Sequence, residues 1–181
     1  MHTENPDFLA AICDAPEDDA PRLIYADWLD EHGQEERAEF IRVQCALAVL
    51  AENDPRRSAL EECEATHLTR FHTHWSEPLR GYVGWTEFRR GFIETINIES
   101  RQFLKHADVI FTLSPIRHLR LLDVGSSLSA LVDCSHLARI TALTIYAQHR
   151  GEDLPRALAG SPYLDGLISI NLGRNRLGDH G

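Results

Sequence analysis

Ile93-Glu94-Thr95-Ile96-Asn97-Ile98, Ile116-Arg117-His118-Leu119-Arg120-Leu121, Ile140-Thr141-Ala142-Leu143-Thr144-Ile145 and Leu167-Ile168-Ser169-Ile170-Asn171-Leu172 share one pattern, apolar-x-x-apolar-x-apolar. Their central apolar positions, 96, 119, 143 and 170, step by 23, 24 and 27 residues. One such hexapeptide arises easily by chance, but four in near-register mark a repeated structural unit. The period of two within each segment predicts a short strand with one buried face. Between the segments lie stretches suited to returning the chain. Ser100 is placed to cap a helix carrying Phe103, Leu104, Ala107, Ile110 and Phe111, which Ser114-Pro115 ends. A shorter return spans Ser129 to Leu137, and a third carries Leu154, Ala157, Leu158 and Ala159 before Gly160-Ser161-Pro162. Strands alternating with such returns predict an α/β fold with a parallel sheet, in which stacking neighbours complete the core that one repeat cannot build alone.

The last unit, Leu164-x-x-Leu167-x-x-Ile170-x-Leu172-x-x-Asn175-x-Leu177-Gly178-Asp179-x-Gly181, resembles the ribonuclease-inhibitor-like class of leucine-rich repeat. The resemblance implies a strand–helix solenoid, with Asn175 as the ladder asparagine that holds the turning loop. The first three units depart from the pattern, with Ser100 or a neighbour, Val124 and Gln148 in that region, so no asparagine ladder is expected there. In such repeats the residues flanking the buried strand positions line the concave binding side. Here those are Thr95, Asn97, Glu99, His118, Arg120, Ala142, Thr144, Tyr146, Ser169, Asn171 and Gly173. Tyr146 and Arg120 are residue types that commonly anchor interfaces. In the family, Gly-Asp-x-Gly leads into a further helix, so the stop at Gly181 raises the expectation of an uncapped last repeat that can self-associate.

The remainder of the chain has a different composition. Residues 1–40 hold twelve Asp or Glu and two Arg, whereas residues 41–181 hold sixteen charges of each sign, so the whole net charge of −10 sits at the front. Helical periodicity predicts helices from Pro6 to Cys13, from Asp18-Asp19-Ala20-Pro21 to a left-handed cap at Gly33, from about Glu35 to Glu52, and, after the break at Asp54-Pro55, from about Arg56 to His74. In the second of these, Leu23, Ile24, Tyr25, Trp28 and Leu29 form a broad apolar face. Phe8-Leu9-Ala10-Ala11-Ile12, Pro21-Arg22-Leu23-Ile24-Tyr25-Ala26-Asp27-Trp28-Leu29-Asp30-Glu31-His32-Gly33 and Arg37-Ala38-Glu39-Phe40-Ile41-Arg42-Val43-Gln44 together resemble the planctomycete repeat-companion domain. That family accompanies repeat arrays, so the resemblance implies architecture and a bacterial setting. The predicted organisation is an acidic helical module over residues 1–75, a connecting and capping segment over 76–91, and leucine-rich repeats over 92–181 with about four strands and an incomplete last repeat. The segment from Trp75 to Phe92 carries seven large apolar side chains, too many for a free tether.

Composition and motifs narrow the function classes. No apolar run reaches the roughly 18 residues of a membrane span, and the acidic first residues lack a signal peptide's basic and apolar regions, so a cytoplasmic location is expected. Cys13, Cys45, Cys63 and Cys134 form no Cys-x-x-Cys pair and read as reduced, mostly buried thiols. Nucleic acid needs a basic stripe and the front offers the reverse. Asp27, Asp30 and Glu31 invite an acid–base reading, but pairing of Asp27 with Arg37 or Arg42 and solvation of Asp30 and Glu31 account for them. A module this small leaves little room for a concave pocket. His67 and His74 lie two helical turns apart and His72 points elsewhere, so no metal site is expected. P-loop, Gly-x-Ser-x-Gly, His-Glu-x-x-His and dinucleotide motifs are absent. The sequence thus points to a non-enzymatic protein–protein scaffold without cofactors. A regulator of the GTPase-activating type, which uses the same repeat class, is the alternative, with Arg120, Arg174 and Arg176 as candidates.

Overall fold

The computed structural model describes residues 5–146 and 153–173, and within them a mixed α/β fold with a five-stranded sheet ordered β1-β2-β3-β4-β5. The chain divides into two compact units. The first runs to Pro78 and includes Phe88–Ile93 and Thr112–Pro115, and the second holds Leu79–Glu87, Glu94–Phe111 and the chain from Ile116 onward.

The first unit contains helices α1 (Pro6–Asp14), α2 (Ala20–Glu31), α3 (Glu35–Val49) and α4 (Arg57–Trp75). Asn5 caps α1 by accepting the Asp7 N–H at 3.1 Å, and Asp18 accepts the Ala20 N–H at 2.8 Å where α2 starts. Gly33 takes φ +72° just past the end of α2, as a left-handed cap requires. The apolar face expected for α2 is corrected: Leu23 and Ile24 are exposed, and Trp28 is only partly buried. The stripe that faces the core is Arg22, Tyr25, Ala26 and Leu29, at helical spacing. It packs with Leu9, Ile12, Ala38, Ile41, Cys45 and Phe92. Of the four thiols only Cys45 is buried, so the expectation of mostly buried cysteines does not hold.

The turn at residues 88–92 is bound into this unit by α3. Arg90 (φ 50°) and Gly91 (φ 85°) form a two-residue hairpin turn of the kind that needs two positive φ angles. Arg37 donates from Nη1 to the Gly91 carbonyl at 2.6 Å, and the Gly91 N–H donates to Gln44 Oε1 at 2.7 Å. Gln44 Nε2 in turn donates to Glu64 Oε1 at 2.7 Å and to the Phe88 carbonyl at 3.3 Å. Arg37 and Gln44 are seven residues apart and therefore on one face of α3. The Arg37 guanidinium lies 5.0 Å from the Trp75 ring centre and 5.1 Å from that of Phe92, a desolvated cation among aromatic faces.

The second unit carries the repeated segments. The hairpin reverses the chain between β1 (Trp85–Arg89) and β2 (Phe92–Glu99). α5 (Ser100–Leu113), β3 (His118–Leu122), α6 (Leu128–Val132), β4 (Ala142–Tyr146), α7 (Asp153–Ala159) and β5 (Ser169–Asn171) follow. β2 to β5 are parallel neighbours throughout. Ile96, Leu119 and Leu143 are almost wholly buried at matching register positions, each contributing about 1.5–3 kcal/mol of apolar burial. The entry to each strand repeats one bond: the Arg117 N–H donates to the Glu94 carbonyl, Thr141 to Arg117 and Ile168 to Thr141, at 2.9, 2.9 and 2.8 Å. Ser100 does not cap α5 as expected. It is the helix's first residue, fully buried, and its hydroxyl donates to the Asp123 carbonyl at 2.8 Å. The second return is a short helix between 3₁₀ turns at Gly125–Ser127 and Ser135–Arg139. Gln148, Arg174, Asn175, Arg176, Leu177 and Gly178, and with them the ladder and end-cap expectations, lie outside the described residues. No helix among the described residues is long and apolar enough to cross a membrane.

Candidate functional site

The strand register gathers the expected binding residues on one side of the sheet in three rows. Thr95 pairs with His118, His118 with Ala142 and Ala142 with Ser169. Asn97, Arg120, Thr144 and Asn171 form the second row. Glu99, Leu122 and Tyr146 form the third. Because side chains alternate along a strand, the two-residue offset keeps all three rows on one face, opposite the buried Ile96, Leu119 and Leu143. Gly173 follows β5, where its N–H donates to Asn171 Oδ1 at 2.9 Å.

The rows differ in how much they offer to a ligand. Thr95 is 2% exposed and its hydroxyl lies 3.5 Å from His118 Nδ1, so it supports the face rather than presenting itself. Asn97 Oδ1 is buried without a hydrogen-bond partner among the described residues, a state that buried polar atoms rarely keep. Glu99, Ser169 and Asn171 are exposed, and His118, Arg120, Thr144 and Tyr146 are half-exposed.

Sequence reasoning missed the edge of this face. Trp85 is 44% exposed on β1, and the Arg120 guanidinium stacks over its ring at 4.7 Å. Glu87, two residues along, reaches Arg120 Nη2 at 3.6 Å. Residues 76–91 read as a connecting segment, so neither residue was placed on the face. The sequence gives no apolar–polar alternation there, since in Trp85-Thr86-Glu87-Phe88-Arg89 the tryptophan faces out and the threonine is buried. Leu122, exposed in the third row, was likewise overlooked.

In the helical unit the acidic cluster is neutralised from one side. Arg42 reaches Asp27 Oδ1 at 2.7 Å and Asp30 Oδ2 at 2.6 Å, and these two hydrogen bonds hold its guanidinium more firmly protonated than usual. The expected Arg42–Asp27 pair is present, but Asp30 is paired rather than merely solvated. A cleft of about 340 Å³, lined by Tyr25, Arg37, Phe71, His74, Trp75 and Pro78 among others, lies in this unit, at the small end of the range for ligand pockets. Cys63 and His67 on α4 and Glu39 on α3 bring three potential metal-ligand atoms within 4.8 Å of one another. Burial, and then the Glu39 carboxylate, push the Cys63 thiol up from its ordinary pKa.

Comparison of the chain with protein-family models, with curated proteins and with solved structures finds no match.

Proposed function

We propose that this chain is a protein-interaction adaptor of leucine-rich-repeat type, docking a protein partner on the polar face of its parallel sheet. The observation that carries this reading is the run of three register rows beside a stacked, half-exposed Trp85–Arg120 pair. An aromatic side chain and an arginine are the residue types that most often dominate binding energy. The surrounding Glu87, Glu99, His118 and Asn171 supply a rim of mixed charge and polarity, which suits a folded protein surface better than a phosphate backbone. A solenoid of ribonuclease-inhibitor-like repeats, fronted by a repeat-companion module, is the architecture that goes with this reading. So are a cytoplasmic, bacterial setting and a binding rather than catalytic role. The Arg37–Gln44 clamp gives the companion-like string a structural task, since both residues hold the hairpin turn that precedes β2.

Affinity capture from the native host tests the proposal. Wild-type chain is compared with the double variant Trp85→Ala/Arg120→Glu and with Arg156→Glu on the exposed side of α7, after circular dichroism has shown all three folded. A docking face requires a protein retained by wild type and Arg156→Glu and lost from the double variant. Retention of the same proteins by all three overturns it.

A further inference from the structure

We propose that Glu39, Cys63 and His67 form a divalent metal site of zinc-binding type in the helical unit, between α3 and α4. Cys63 and His67 stand four residues apart on α4 and so project from one face, a turn apart. Glu39 meets them from α3, with its Oε2 3.0 Å from His67 Nε2. All three donor atoms lie within 4.8 Å of one another. Bond lengths of about 2.3 Å to sulfur and about 2.0–2.2 Å to nitrogen and oxygen place tetrahedral zinc donors roughly 3.3–3.7 Å apart. The gap is within reach of side-chain rotation, since the Glu39 side chain is 60% exposed and Cys63 is half-buried. His67 is the fixed member, 9% exposed in its side chain and packed against the rings of Phe40, Phe71 and Trp75 at 6.1–6.3 Å.

A thiolate, an imidazole and a carboxylate form a borderline-soft donor set that favours zinc over magnesium or calcium. Three protein donors leave one tetrahedral position for water or a donor from a partner, on the solvent side where Glu39 lies. A metal ion takes the thiolate, so binding displaces the Cys63 proton. Binding therefore tightens as pH rises.

The test uses the full chain, reduced and stripped by a chelator, titrated with cobalt(II) and then with zinc(II). The expected result is a thiolate-to-cobalt charge-transfer band in the near ultraviolet, saturating at one equivalent and bleached by zinc. Cys63→Ser abolishes the band, and Glu39→Gln weakens zinc binding on the order of tenfold or more, as loss of a ligating or supporting group does. Circular dichroism without metal establishes that each variant is folded. His67→Gln is a third variant, read only if it folds; then cobalt binding with intact affinity overturns the site. Absence of the band in wild type overturns the proposal and leaves an ordinary His67–Glu39 hydrogen bond. A band unchanged in Cys63→Ser also overturns it, since the metal then sits on Cys13, Cys45 or Cys134.

Discussion

Replacing Gly91 by alanine attacks the contact between α3 and the hairpin turn at its tightest point. A Cβ at this position lies 2.5 Å from Ile41 Cγ1 and 2.9 Å from Ile41 Cα, too close for any rotamer of Ile41 to relieve, because one of the atoms is backbone. The residue also holds φ +85°, which costs a residue with a Cβ about 1–2 kcal/mol. Forcing a methyl group into a packed site adds about 1–3 kcal/mol. Moving the turn to relieve the clash instead breaks the bonds from Arg37 and to Gln44 at 2.6 and 2.7 Å, so it offers no cheaper escape. The expected loss is about 2–5 kcal/mol, a large share of the stability of a small domain. Gly33→Ala is the control, because Gly33 has φ +72° with nothing within 4 Å of its added Cβ and should lose only the conformational part, about 1–2 kcal/mol. Urea unfolding followed by tryptophan fluorescence measures both. If Gly91→Ala costs no more than Gly33→Ala, within about 0.5 kcal/mol, the close approach of Gly91 to α3 is wrong.

Gln44→Leu leaves the Gly91 N–H buried without its acceptor and should cost about 1–3 kcal/mol in the same unfolding assay, whereas a neutral result would remove the clamp from the account of the turn. Arg42→Ala breaks two largely exposed ion pairs and should change stability by less than about 1 kcal/mol, with the difference shrinking in high salt. Asp54, bonded to the Arg56 side chain and N–H, titrates at about 2 rather than 3.8. A carboxylate whose folded pKa is lowered stabilises the fold above its unfolded pKa and loses that contribution as pH falls through the folded value. NMR titration of the Asp54 carboxyl should show the low midpoint, and Arg56→Ala should restore the ordinary one.

The first three repeated segments were legible because their apolar positions answer to one physical demand, burial on one face of a stacked sheet, whereas the fourth departs from it, with β5 exposed throughout and Ile170 47% exposed. The last three strands begin two residues later than their hexapeptides, at His118, Ala142 and Ser169, whereas β2 begins at Phe92, one residue before its own. Ile116 and Ile140 precede the strands yet are 1% exposed, so they fill the core from the entry turn rather than from the ladder. The face residues followed directly from that register. β1 was not legible as a strand, because its turn is made by Arg90-Gly91 in place of the Asn-Gly or Asp-Gly dipeptides that advertise such hairpins. The burial stripe of α2 was ambiguous for another reason. Leu23, Ile24 and Trp28 are as apolar as Tyr25 and Leu29, and the buried stripe includes Arg22, whose Nη1 donates to the Asp18 carbonyl while its guanidinium lies near Phe92. A buried arginine is not what hydrophobic periodicity leads one to expect. Cys63 and His67 were four apart in plain view, but Glu39 comes from another helix, and only folding brings it to His67.

Site-specific photocrosslinking in the native host tests the docking face most directly. A benzophenone amino acid replaces Thr144, in the middle row of the sheet face, or Val109, exposed on α5. A protein partner seated on the face should give a discrete crosslinked species from position 144, abolished by the added Arg120→Glu substitution, and none from position 109. Crosslinks from position 109 alone, or from both positions without sensitivity to Arg120, would contradict it.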